Sequence, residues 1–317
     1  MVVLIVVPEQ GVRAQDAAFS QFYANALYMN PAMAGVEGPM KFYVGYRNQW
    51  PGATDSYVSY HASYEQYIDV MGGGIGVHVM NDRQGGGVFN TLSLDAMYSY
   101  HLEVSRFLTL TGGLQASVGQ RVLKSSNLIF ASDIDASLGN PENISDYRRI
   151  YPDFSAGLAA FYKNLFGGFA VHHLHKPYVS ATGDPDTRLS RRYTLHIGAM
   201  WPVYEKRLGK EVLQLSPHFV FMQQQSYQQL NYGLEIVYRN LLGGIWARQD
   251  LYLSYGTLIF SIGYGSEQYR FRYSYDAKLA RADISAPNMG AHEISLVLII
   301  ENLNNSKKHR AIKCPKI

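Results

Sequence analysis

The chain has a single cysteine, Cys314, among its 317 residues. One thiol forbids an internal disulfide and any metal site built on several thiolates. In an exported chain it either pairs between molecules or stays free. Charge is scarce as well: Asp, Glu, Lys and Arg make up 17% of the chain, against about 25% for a soluble globular domain. The net charge of +3 is too small to imply a nucleic-acid partner, and its basic residues are scattered. Only the tail gathers them, at Lys307, Lys308, Arg310, Lys313 and Lys316; this reads as a solvated terminus before it reads as a binding patch. No apolar run approaches the roughly 18 residues a membrane-spanning helix needs.

What the chain has instead is 25 Tyr, 14 Phe and 29 Gly. Such a composition, without a long apolar run, fits a transmembrane β-barrel, because only alternate strand residues face lipid. Composition alone leaves a soluble β-sandwich open. At the start, the apolar run Val2 to Val7 and the small-residue site Val12-Arg13-Ala14 predict cleavage before Gln15. The basic n-region is missing and the run is short, so residues 1–14 are expected to be a truncated signal peptide. No cysteine stands at the cleavage site, which argues against a lipoprotein.

From position 41 the pattern has period two, the signature of strands with one apolar face. Phe42, Val44 and Tyr46 share a face, as do Val58, Tyr60, Ala62 and Tyr64. The cleanest case runs from Arg106 to Gly119, with Leu108, Leu110, Leu114, Ala116 and Val118 against Thr109, Thr111, Gln115 and Ser117. Near Tyr269 the alternation sets Tyr269, Phe271, Tyr273 and Tyr275 against Arg270, Arg272, Ser274 and Asp276. Arginines facing lipid at mid-membrane would cost about 2–4 kcal/mol each, so these charges are expected to point into the lumen. There Asp276 and Glu293 are candidates to neutralise Arg270 and Arg272.

The count is about fourteen strands, and the expected fold is an all-β, transmembrane, antiparallel barrel over residues 41–301. An N-terminal segment, 15–40, precedes it and a basic tail, 302–317, follows. Connections after even-numbered strands are short, around Glu103, Asn164, Asn240 and Ser266; those after odd-numbered ones are often long, Gln120 to Tyr151 above all. Short turns belong to the periplasmic side of such barrels, so both termini are expected to be periplasmic. The boundaries near Arg248 to Ser254 are the weakest in this reading.

The stretch DAAFSQFYANALYMNPAMAG, Asp16 to Gly35, has neither helical nor strand spacing. Its pattern D-x-x-F-S-Q-x-x-x-N-x-L-Y-x-N-P-A-x-A-G resembles the opening signature of the PorP/SprF family of type IX secretion and gliding proteins. The likeness continues at Tyr46-Arg47-Asn48-Gln49-Trp50 with Pro51 and Gly52, at Pro152-Asp153-Phe154 with Gly157, and at His173-Leu174 with Pro177. It continues again at Leu189 to Tyr193, Tyr273 to Asp276, Gly290 to Ser295 and Cys314-Pro315. The resemblance implies a non-enzymatic outer-membrane barrel without cofactors. Its implied partner is a periplasmic lipoprotein ring or the C-terminal domain of a secreted adhesin. A passive porin or small-molecule transporter is the alternative. Phe19, Ser20, Gln21, Phe22, Tyr23, Asn25, Tyr28, Asn30 and Pro31 are the candidate residues for a plug or a partner contact, and partial insertion into the lumen is favoured. Trp50-Pro51-Gly52 also reads as a turn that sets an aromatic at the membrane interface.

Two constellations carry possible chemistry. His61 and Ser63 share a strand face and would need Asn90 or Asp95 to orient the imidazole; but both point inward, whereas a barrel lipase needs its nucleophile at the lipid-facing surface. His172, His173 and His175 lack a carboxylate at ligand spacing. Neither is taken as a site, so the expectation is no catalytic, metal or cofactor residue.

Overall fold

Along nearly every strand one side chain faces out and the next faces in, and the sheet closes on itself. The computed structural model describes residues 16–52, 56–124, 146–180, 187–205, 211–251, 256–279 and 290–300. The leader, Cys314 and the basic tail lie outside these residues. In order, the strands are β1 (Met40–Gln49), β2 (Tyr57–Ile68), β3 (Gly73–Gln84), β4 (Phe89–Glu103), β5 (Leu108–Leu123), β6 (Tyr147–Tyr162), β7 (Leu165–His172) and β8 (Arg192–Ala199). They continue as β9 (Trp201–Glu205), β10 (Glu211–Gln224), β11 (Tyr227–Tyr238), β12 (Leu241–Gln249), β13 (Gly256–Gly265), β14 (Tyr269–Lys278) and β15 (Ala291–Ile300). All pairs are antiparallel. β1 sits against β15, with Phe42 opposite Leu298, and β10 against β11, so fourteen strands close into a barrel and β9 is extra. Closure satisfies the backbone where lipid cannot.

The outward face is the apolar set of the sequence pattern. Leu114, Leu158 and Ile262 are each 67% exposed, and Phe42, Tyr60 and Leu110 are exposed too. Thr109, Thr111, Ser117, Arg270, Arg272, Ser274 and Asp276 are buried on the inside.

Three boundaries differ from the sequence reading. The polar stretch after Gly119 begins as strand: β5 and β6 stay paired from Gly119 opposite Tyr151 to Leu123 opposite Tyr147. Arg121, Arg148 and Arg149 break the alternation there, so the extension leaves no period-two signal. Second, the stretch from Arg192 to Val203, whose length suits one strand, is divided between two. β8 lies between β7 and β10, whereas β9 pairs with β10 alone. Pro202 carries no N–H, and such a residue belongs on an edge. Third, the loosely bounded segment before Asp250 is the complete barrel strand β12.

The segment before β1 runs down the lumen. It contains a helical turn, α1 (Ala26–Met29), and a 3-10 turn, Pro31–Met33. Gly38 lies beside Tyr67 at the short-turn end, its carbonyl accepting the Tyr67 N–H at 3.4 Å. Asp16 lies at the other end, against the start of β8 and the end of β10. Both ends of the mature chain are expected on the short-turn side. Ile300 is there, opposite Met40, but the first described residue is not, because the segment is threaded through the barrel.

Candidate functional site

The lumen is built from the N-terminal motif outward, and its upper end is a charged latch. The Asp16 carboxylate accepts hydrogen bonds from Arg192 Nη1 at 2.8 Å and meets His173 Nε2 at 2.9 Å; the Asp16 N–H donates to Gln224 Oε1 at 3.0 Å. On its other side the His173 ring meets Asp153 Oδ2 at 2.5 Å. Burial pushes the Asp16 carboxyl up, but the His173 and Arg192 cations outweigh it and hold it well below the usual carboxylate range. Burial pushes the His173 imidazole down, and Asp16 and Asp153 overcome this to raise it to about 9. The Arg192 guanidinium also lies 4.4 Å from the Tyr28 ring centroid.

Below the latch, Glu293 organises the second node. Its two carboxylate oxygens accept the backbone N–H groups of Ser20 and Gln21 at 2.7 and 3.1 Å. Arg47 Nη1 reaches Glu293 at 3.1 Å and Nη2 reaches Asp276 at 2.8 Å. Ser20 Oγ donates to Asp276 Oδ1 at 2.5 Å, and Arg248 binds Asp276, the Phe19 carbonyl and Ser20 Oγ at 2.9, 2.9 and 3.0 Å. Gln21 Nε2 donates to the Glu293 carbonyl at 3.0 Å and to Ser274 Oγ at 3.2 Å, while Ser295 Oγ donates to Gln21 Oε1. Four strands thus address two consecutive motif residues.

The rest of the segment packs as a core. Tyr23 stacks on Trp246 at 4.8 Å and Phe22 meets the same indole edge-on at 5.2 Å. Both belong to a buried cluster with Ala26, Met29, Ala32, Met33 and barrel residues Phe161, Phe166, Val220 and Ile259; large side chains of this kind stabilise by roughly 1.5–3 kcal/mol each. Phe19 lies 4.3 Å from the His61 ring, and Asn25 Nδ2 hydrogen-bonds His61 Nδ1 at 2.7 Å. Asn30 caps the 3-10 turn by accepting the Ala32 N–H at 2.9 Å and donates to the Leu158 carbonyl at 3.0 Å; Pro31 sits at the first turn position, where its missing N–H costs nothing. Gly113 lets Ala32 approach the wall, since a Cβ there would stand 2.3 Å from the Ala32 nitrogen. Gly35 ends the segment at φ +65°, its N–H donating to Glu65 Oε2 at 2.9 Å.

All nine residues singled out from the sequence therefore lie within the barrel, Tyr28 half-buried and the other eight buried. Arg270, Arg272, Asp276 and Glu293 face the lumen, with pairings other than those expected. Arg272 reaches Glu235 at 2.6 Å and Arg270 lies 3.9 Å from Glu37, while Asp276 and Glu293 serve Arg47 and Arg248. Arg248 and Glu235 join the site without having been expected there; for Glu235 the signal is the inward phase it shares with Asn231 and Gly233. Trp50 lines the cavity at the long-connection end. His61 bonds Asn25 and faces Tyr43, while Asp95 meets His78 at 2.8 Å and Asn90 meets Asn81, so no Ser63–His61–acid relay forms. The fold does bring carboxylates to His173, from Asp16 and Asp153, but its neighbour His172 bonds the Met29 carbonyl and His175 is exposed. Among the described residues no cluster could hold a metal ion.

A closed antiparallel barrel with a lipid-like outer face and a filled interior is an outer-membrane protein. Over residues 11–298 the chain matches the family described as type IX secretion system membrane protein PorP/SprF, and it belongs to that family. No curated protein sequence matches it. Among solved structures it is similar to the CymD monoaromatic hydrocarbon channel, at 14% identity and TM-score 0.52, covering 88% of this chain and 93% of that one. It is also similar to the P. putida toluene transporter TodX, at 14% identity, TM-score 0.48 and coverages of 88% and 94%. A third is the Acinetobacter baumannii outer membrane protein Omp33, at 8%, 0.45, 83% and 100%. At such identities the likeness to CymD speaks for the fold alone.

Proposed function

We propose that the protein is a sealed, non-enzymatic anchor of the type IX secretion and gliding machinery. It holds either a periplasmic lipoprotein ring or the C-terminal domain of a secreted adhesin at the outer membrane. The observation that supports this reading is the occupied lumen: Phe19, Phe22, Tyr23 and Leu27 are 2%, 5%, 1% and 2% exposed inside the barrel. A passive porin needs an open path, whereas an anchor needs a rigid body in lipid. The aromatic motif residues then form the fixed plug, and partner contacts fall to other surfaces. The short turns are taken as periplasmic and the long connections as external, by the usual asymmetry of such barrels.

The test has two arms. The full chain in planar bilayers is expected to give no steady open-channel current, and capture from native membranes is expected to bring down the ring lipoprotein or the adhesin domain. Steady conductance with no secretion component captured would contradict the proposal and favour the porin.

A further inference from the structure

Above the plug the lumen widens into a cavity of about 670 Å³ at the long-connection end, with Asp16, Ala17 and Ala18 in its lining. That volume lies within the roughly 300–1,000 Å³ of small-molecule sites. The packed segment below makes it a blind cup. Much of the charge that borders it is compensated: Arg47 and Arg248 bind Asp276, Arg192 binds Asp16, and Asp82 accepts from Ser59 Oγ and Gln84 Nε2, both at 2.6 Å. Side-chain amides are prominent in the rest of the lining, at Gln49, Gln228, Gln229 and Gln249.

Gln229 is the telling member. It is 1% exposed, its Oε1 accepts the Tyr227 hydroxyl at 2.7 Å, and its Nε2 has no partner in the protein. Gln228 Oε1 is an unpartnered acceptor beside it. Buried polar atoms in this state call for an external partner. At the rim Trp50 holds φ +60°, a conformation uncommon for a bulky residue, fixed by its N–H donating to the Gly290 carbonyl at 3.0 Å. Tyr57 meets its ring edge-on at 5.1 Å.

We propose that this cup binds a neutral saccharide. Amides offer donors and acceptors together, as sugar hydroxyls require, and Trp50 at the rim, with Lys278 Nζ 4.6 Å from its ring centroid, sets an aromatic surface beside an ammonium donor for the same hydroxyls. The lining charges nearly cancel, with Arg47, Arg121, Arg248 and Lys278 against Asp16, Asp82 and Asp250, so the cup selects neither an anion nor a cation. A peptide strand would need a free sheet edge; every barrel strand is paired on both sides, and the free edge of β9 lies at the short-turn end, away from the cup. The inference stands whichever partner the barrel anchors.

The test applies the purified full-length protein, in detergent, to an array of neutral and acidic glycans and short peptides, with Gln229→Leu and Trp50→Ala alongside. Saturable retention by neutral glycans is expected, weakened about tenfold in each variant while the heat-modifiable mobility of the barrel is unchanged. If Gln229→Leu fails to fold, Trp50→Ala at the rim decides. Competition by soluble maltotriose and cellotriose, against vesicles bearing smooth or rough lipopolysaccharide, separates a free sugar from a lipid-borne glycan. The proposal is overturned if no glycan is retained, if acidic glycans or peptides are preferred, or if the variants bind like wild type.

Discussion

Glu293 and His173 are the residues through which the barrel wall grips the chain it encloses. Glu293 is fully buried and accepts from Ser20, Gln21 and Arg47, so Glu293→Ala leaves two buried N–H groups without their acceptor and Arg47 with Asp276 as its one carboxylate, which Arg248 already shares. Removing one partner of a buried pair costs about 3–5 kcal/mol; urea unfolding of the barrel in lipid vesicles should register that loss, and Glu293→Gln, which keeps an acceptor, should lose less. His173 sets a pH response. Its folded pKa of about 9 stands above the ordinary 6.5, so its contribution is full below 6.5 and fades as pH rises through 9. Thermal stability should therefore fall between those values, and His173→Asn should flatten the fall; an unchanged slope in the variant would contradict the latch. Asp16, held low, contributes above its ordinary 3.8 and loses that as pH falls below it. The inward direction of Arg270, Arg272, Asp276 and Glu293 was legible in the sequence because lipid forbids the alternative. Their partners were not, since Arg47 meets Glu293 across 246 positions of chain and no local pattern encodes which strands face each other across a lumen.

At the scale of elements, the N-terminal segment is held as much by missing side chains as by bonds. Gly113→Val should drive a branched side chain against Ala32, whose nitrogen lies 2.3 Å from the position of an added Cβ. Overpacking of this kind costs about 1–3 kcal/mol. Gly243 has nothing within 4 Å of its added Cβ, so Gly243→Ala should stay within about 0.5 kcal/mol, and equal losses in the two variants would contradict the close approach at Gly113. The strands were readable because period two is imposed by lipid on one face. Where that constraint ends, the pattern is silent: β5 and β6 continue through Arg121, Arg148 and Arg149, and the chain leaves β8 after Ala199 to form β9, which pairs with β10 alone. The segment Asp16 to Gly38 was harder still. Its conformation follows the shape of a cavity made by residues that come later in the chain, so it carries no period of its own.

The whole molecule is a lipid-facing cylinder folded around its own N-terminal segment. On the outside, Leu114 is 67% exposed midway along β5, and Leu114→Arg should cost about 2–4 kcal/mol in vesicles, whereas the same charge inside the barrel is tolerated at Arg272 because Glu235 meets it. On the inside, the claim is that residues 19–36 are core. Hydrogen–deuterium exchange of the full chain in detergent micelles, followed peptide by peptide, measures this directly. Peptides spanning Phe19 to Val36 should exchange as slowly as those of β14 and β15 that enclose them; exchange within seconds, while the strands stay protected, would mean that the barrel is not built around this segment.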